Sequence, residues 1–154
     1  MAYQETQKVL NQLVADLTQM ATVIHQVHWY MRGDGFLYYH PLMDEWMDEV
    51  NGQLDEVAER LITLGGEPYS TLEEFSEHSK IKSKKANYNL TLKEHFETLF
   101  AAYTYLNEQF AKGIEVADSE GDNPSSDMFH EYKATTDKRL WMLAAELNKG
   151  AGLK

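Results

Sequence analysis

The stretch between Pro41 and Leu64 must be helical and two-sided, and that constrains the rest of the chain. Met43, Trp46, Met47, Val50, Leu54, Val57 and Leu61 recur at three- and four-residue intervals. On a helix that advances about 100° and about 1.5 Å per residue, they form one apolar stripe, between about 240° and 340° from His40. On the same scale Asp44 falls at about 40°, Asp55 at about 60°, Asp48 at about 80° and Glu59 at about 100°. Such a helix has to bury its stripe against other helices, while the quadrant across from it stays acidic.

The neighbouring segments supply those helices. Residues 4 to about 31 place Leu10, Leu13, Leu17, Met20, Ala21, Ile24 and Met31 at helical spacing. Arg32-Gly33-Asp34-Gly35 breaks this first helix, and Pro41 is expected within the first turn of the second, where its missing N–H does no harm. Gly65-Gly66 before Glu67-Pro68 stops the second helix. Thr71-x-x-Glu74 and Thr91-x-x-Glu94 have the capping-box pattern and should open a short connecting helix and a third long helix running toward Val116. A carboxylate-rich turn from Asp118 to Asp127 leads to a fourth long helix, with Asn123 or Ser125 as its expected cap, ending near Leu147. The expectation is an all-α fold of one domain over residues 1–154. It is a four-helix bundle with a short helix between the second and third long helices, and residues 1–6 and 150–154 form flexible ends.

The acidic face of the second helix reads as half of a metal site. His40/Asp44 and Asp55/Glu59 are both i,i+4 pairs, close enough to chelate, and Asp55 and Glu59 repel each other unless a cation joins them. His28, one turn before the first helix ends, reaches His40 if the two helices fold antiparallel. Asp44 and Asp55 lie about 16 Å apart along the axis, too far for one ion. The two pairs meet only if a second copy packs antiparallel across this face, so that a two-fold dimer holds two shared sites. The axis would pass near residues 48 to 52, where Gly52 permits close approach. No histidine follows a Glu-x-x pattern, which argues against an iron pair held within one subunit.

Twenty-five acidic residues against fourteen basic ones give a net charge of −11, which disfavours nucleic acid and anionic membranes. Lys80, Lys82, Lys84 and Lys85 form the one basic cluster and read as a solvated charge run. With no cysteine, any metal must be held by oxygen and imidazole, a set that suits iron, manganese or zinc. No stretch approaches a membrane span or a secretion signal, so a soluble cytoplasmic protein is expected.

The segments HWYMRG, HPLMDE and LDEVAERLITLGG resemble the Dps family, the ferritin-like DNA-binding proteins from starved cells, and the likeness extends across nearly all four helices. The resemblance implies a ferritin-like fold, a homododecameric shell and a di-iron ferroxidase centre at each two-fold interface. That centre would oxidise Fe(II), with hydrogen peroxide as the preferred oxidant, store ferric mineral and protect against Fenton damage. It implies that Asp55 and Glu59 of one subunit, with His28 of the partner subunit, hold the first iron. His40 and Asp44 then serve a second, weaker position, which Pro41 would perturb, and Trp29 adjoins the site. It also matches Asp118 and Asp127 to acidic residues lining three-fold pores, with Asp122 between them. Two rivals are a redox-silent shell in which zinc competes for the same ligands, and a DNA-compacting protein. The amino terminus, MAYQETQKVLNQLV, has no lysine-rich extension of the kind some members use on DNA, so DNA binding is not expected.

Overall fold

The computed structural model describes residues 2–152. Five helices follow one another: α1 (Gln4–Tyr30), α2 (Phe36–Thr63), the short α3 (Leu72–His78), α4 (Leu92–Glu120) and α5 (Asn123–Glu146). The four long helices pack as two hairpins, α1 with α2 and α4 with α5, joined along α1 and α4, and α3 lies against α1. Leu10, Leu13, Leu17, Met20 and Ile24 of α1 meet Met43, Val50 and Val57 of α2, Leu99, Leu106 and Phe110 of α4 and Phe129 of α5 in one sealed core. Gly113 brings α4 close to α5, because a Cβ there would stand 2.8 Å from the Phe129 ring. Among the described residues no helix is long and apolar enough to cross a membrane.

Both capping boxes form as their spacing predicts, Thr71 with Glu74 and Thr91 with Glu94. Three boundaries differ from expectation. α2 begins at Phe36 behind Gly35, whose positive φ of 93° ends the turn, so Pro41 sits inside the helix rather than in its first turn. The proline removes one intrahelical donor but stays near the end, on an exposed face, and the helix continues through it. α4 runs on to Glu120, so Asp118 belongs to its last turn and not to a loop; only Gly121, at φ 76°, stops it. The cap of α5 is Asp122, not Asn123 or Ser125: its side chain accepts from the Ser125 N–H at 3.2 Å. Pro124 explains the shift, since a proline fits the first turn of a helix and the capping side chain must precede it.

Residues 4–6, expected to be loose, form the first turn of α1 and are tied across the bundle. Glu120, at the end of α4, accepts from Thr6 N–H at 2.6 Å, Thr6 Oγ1 at 2.7 Å and Glu5 N–H at 3.2 Å. Of the rest of the expected flexible ends, residues 2, 3 and 150–152 belong to no helix, and residues 1, 153 and 154 lie outside the described residues.

A buried carboxylate fixes the long connection. Asp16, fully buried on α1, accepts from Tyr105 Oη at 2.6 Å, Lys80 N–H at 2.8 Å, and Ser79 Oγ and Gln12 Nε2 at 3.1 Å each. Four donors from three parts of the chain satisfy an anion that has no cation beside it. Asp16 therefore anchors the segment between α3 and α4 to the groove between α1 and α4.

Glu120 gives a pH-dependent test. The hydroxyl of Thr6 and the two backbone N–H groups hold its carboxyl below the usual carboxylate range. A depressed folded pKa stabilises above the unfolded value and is lost as pH falls through the folded one. Glu120→Ala should cost about 1 kcal/mol at neutral pH, in the range of other helix-end caps. In thermal melts of wild type and variant, the difference should shrink as pH drops below the ordinary carboxylate range.

Candidate metal centre

The last turn of α1 and the first turns of α2 lock together through their histidines. His28 Nδ1 donates to the His40 carbonyl at 2.6 Å, and His40 Nδ1 donates to the His28 carbonyl at 2.8 Å. A carbonyl can only accept, so each ring carries a proton on Nδ1; in a neutral ring Nε2 then has the lone pair with which imidazole binds a metal. The two rings stack 3.7 Å apart and 7° from parallel, and Phe36 stacks on the other side of His40 at 4.7 Å. The exchange also satisfies the His28 carbonyl, one of the last four of α1, which has no partner within its own helix. His28 is buried and His40 half-buried, so the pair is rigid before any ligand arrives.

Asp44, one turn beyond His40 and exposed, places Oδ1 3.4 Å from His28 Nε2. The structure thus brings His28, His40 and Asp44 together. Asp55 and Glu59 lie exposed farther along the same uninterrupted helix. Among the described residues no group of three or more histidine, aspartate or glutamate side chains is placed to hold a metal ion. A Cβ on exposed Gly52 would meet nothing within 4 Å, leaving the middle of that face clear of the chain's own atoms.

The remaining candidates divide. Trp29 is 62% exposed and stacks on His25 at 4.7 Å, so it is a surface ring beside His28 and not a core residue. Asp118 and Asp127 are exposed near the α4–α5 corner. Asp122 is not available to line a pore: it is fully buried, caps α5 and pairs with Arg60 Nη2 at 2.6 Å. Arg60 also donates through Nε to Ser125 Oγ at 2.9 Å. Arg60, next to Glu59, therefore fastens this end of α2 to the α4–α5 corner. Sequence reasoning missed it because its partners lie more than sixty positions away.

The ferritin-like domain family matches residues 7–153. A DNA protection during starvation protein of Streptococcus suis is 50% identical over 149 residues, covering 97% of this chain and 87% of that protein. These matches decide the family. The chain belongs to the Dps family. The X-ray structure of Dps from Listeria monocytogenes superposes with a TM-score of 0.93 at 41% identity, covering 95% of each chain. Dps from Listeria innocua, in a structure soaked with zinc, gives 0.91 at 40% identity, covering 95% of this chain and 98% of that one. The all-α, ferritin-like bundle with a short fifth helix is thus a Dps fold.

Arg60 and Asp122 make a second test. Removing the guanidinium leaves a buried, uncompensated carboxylate, so Arg60→Ala should destabilise by roughly 3 kcal/mol in chemical denaturation. Asp122→Asn should cost less, because asparagine caps a helix about as well as aspartate. Equal losses would show that loss of the ion pair itself, and not the stranding of a buried carboxylate, sets the cost.

Proposed function

We propose that this Dps chain is an iron-detoxifying ferroxidase whose metal centre is shared between two subunits. The observation that carries the reading is the histidine exchange, which holds both rings through Nδ1 and sets His28 Nε2 3.4 Å from Asp44, on a helix face whose other candidate carboxylates lie farther along. Positions on that face mirror one another about a point between residues 49 and 50, since 40 pairs with 59 and 44 with 55. The same mirror sets Leu37, 89% exposed, against Ile62, 60% exposed; these are the two large aliphatic side chains that α2 leaves in solvent. Two copies packed antiparallel would bury both apolar ends and bring Asp55 and Glu59 of each subunit to His28, His40 and Asp44 of its partner subunit.

The chemistry follows from the donors. Neutral imidazoles admit Fe(II) without cancelling its charge, and carboxylates favour Fe(III) over Fe(II) and can bridge two ions. Two Fe(II) each give one electron to one hydrogen peroxide, which is reduced to water without release of a hydroxyl radical. Hydrolysis of the ferric product to oxyhydroxide releases protons and leaves mineral to be stored within a twelve-subunit shell. The histidine clamp keeps the second iron position in place despite Pro41, because His40 stays helical and hydrogen-bonded through its ring. Exposed Asp118 and Asp127 supply negative charge to draw Fe(II) inward. Zinc competes for the same donors, since it too takes imidazole and carboxylate ligands. The acidic balance disfavours DNA as a partner, and iron storage places the protein in the cytoplasm.

Subunit mixing tests the shared site. His28→Ala combined with His40→Ala, and Asp55→Ala combined with Glu59→Ala, should each oxidise anaerobically loaded Fe(II) with peroxide no faster than buffer. Denatured together and reassembled, the two inactive variants should regain activity, because a mixed dimer keeps one intact site of its two. Ferric absorbance with a radical trap reads both outcomes; a mixture as inactive as its components would sink the shared centre.

A further inference from the structure

One cavity lies away from the histidine clamp, under the segment that joins α3 to α4. It measures about 590 Å³ and opens between that segment and the groove of α1 and α4. Its walls include Val23, Val27, Ile81 and Ala102, and Lys80, Lys82, Lys84 and Lys85 stand at its rim. A void of this size lies within the range of small-molecule sites and far above the gaps of a close-packed interior. It is held open by its roof, where Gln26 Nε2 donates to the Lys84 carbonyl at 2.9 Å and Gln19 Nε2 to Ser83 Oγ at 2.9 Å, while Asp16 holds the Lys80 N–H.

Two features suit this cavity to a ligand. The four lysines are exposed, and among the described residues none forms an ion pair with a carboxylate, although the chain carries a net charge of −11. Lysines on an acidic protein ordinarily find acidic neighbours, and clustering them unpaired creates a local anion-attracting field. His95 also lines the cavity. It is 3% exposed, and its Nε2 has no hydrogen-bond partner among the described residues. Burial holds this ring below its usual pKa, against the opposing pull of Glu94 and the Tyr30 carbonyl, so it is neutral at neutral pH.

The geometry points to a binding site for a small organic anion with an apolar body, an aromatic or medium-chain acid whose charged head sits among Lys80, Lys84 and Lys85. Its body lies on Val23, Val27 and Ala102, beside the ring of His95. This site draws on none of the residues assigned to iron.

The test uses the full-length, assembled protein and two fluorescent probes, anionic anilinonaphthalene sulfonate and neutral phenylnaphthylamine. At low salt the anion should bind about tenfold more tightly than the neutral probe, and Lys84→Ala with Lys85→Ala should remove about that factor. Thr98→Trp, which fills the cavity from an exposed position of α4, should abolish saturable binding without lowering the melting temperature. If that variant melts early, Ala101→Trp fills the same space from an exposed position nearby. Equal affinity for the two probes, or unchanged anion binding once the cavity is filled, overturns the proposal.

Discussion

Two imidazole rings, each donating to the backbone of the other, hold the end of α1 against the start of α2. The exchange does three things at once. It closes the antiparallel hairpin, satisfies a carbonyl that the end of α1 leaves without a helical partner, and holds a proton on Nδ1 of each ring. A metal-ligating histidine needs something to hold its other nitrogen, and in the proposed centre the support of each histidine would be the main chain beneath the other. The site's rigidity and the hairpin's geometry are therefore the same contact.

The outer fastenings have a similar character. Asp16, Asp122 and Glu120 are carboxylates that bind groups distant in sequence: the α3–α4 connection, Arg60 of α2 and the first turn of α1. Each replaces hydration with several protein donors, so each is worth keeping only when all its partners are in place. Together they fix the corners of a bundle whose middle is held by apolar packing. The free charges then remain on α2 and near the α4–α5 corner, where they can act on ions.

Much of this was legible in the chain because helices turn sequence spacing into angle. The apolar stripe of α2, the shared face of Asp44, Asp55 and Glu59, and both capping boxes are local patterns, and local patterns survive into the fold. Pro41 misled because its preference for a first turn is statistical, whereas Gly35 sets the start of α2 by a backbone geometry that only the folded turn reveals. Asp122 was misread for a different reason: an acidic residue in a polar turn looks solvated until its arginine, sixty-two positions earlier, is found beside it. The same holds for Asp16 and Thr6. Long-range pairing leaves no periodic trace, and the cavity above the α1–α4 groove leaves none either, since its walls are scattered over three segments.

The proposed division of the ligands between two subunits has a temporal consequence. A chain fresh from the ribosome can fold its bundle and set its histidines while still presenting only fragments of a coordination sphere. Redox chemistry on iron would then begin at the encounter of two subunits and rise steeply with their concentration. Such a protein keeps its reactivity silent during synthesis and switches it on by assembly.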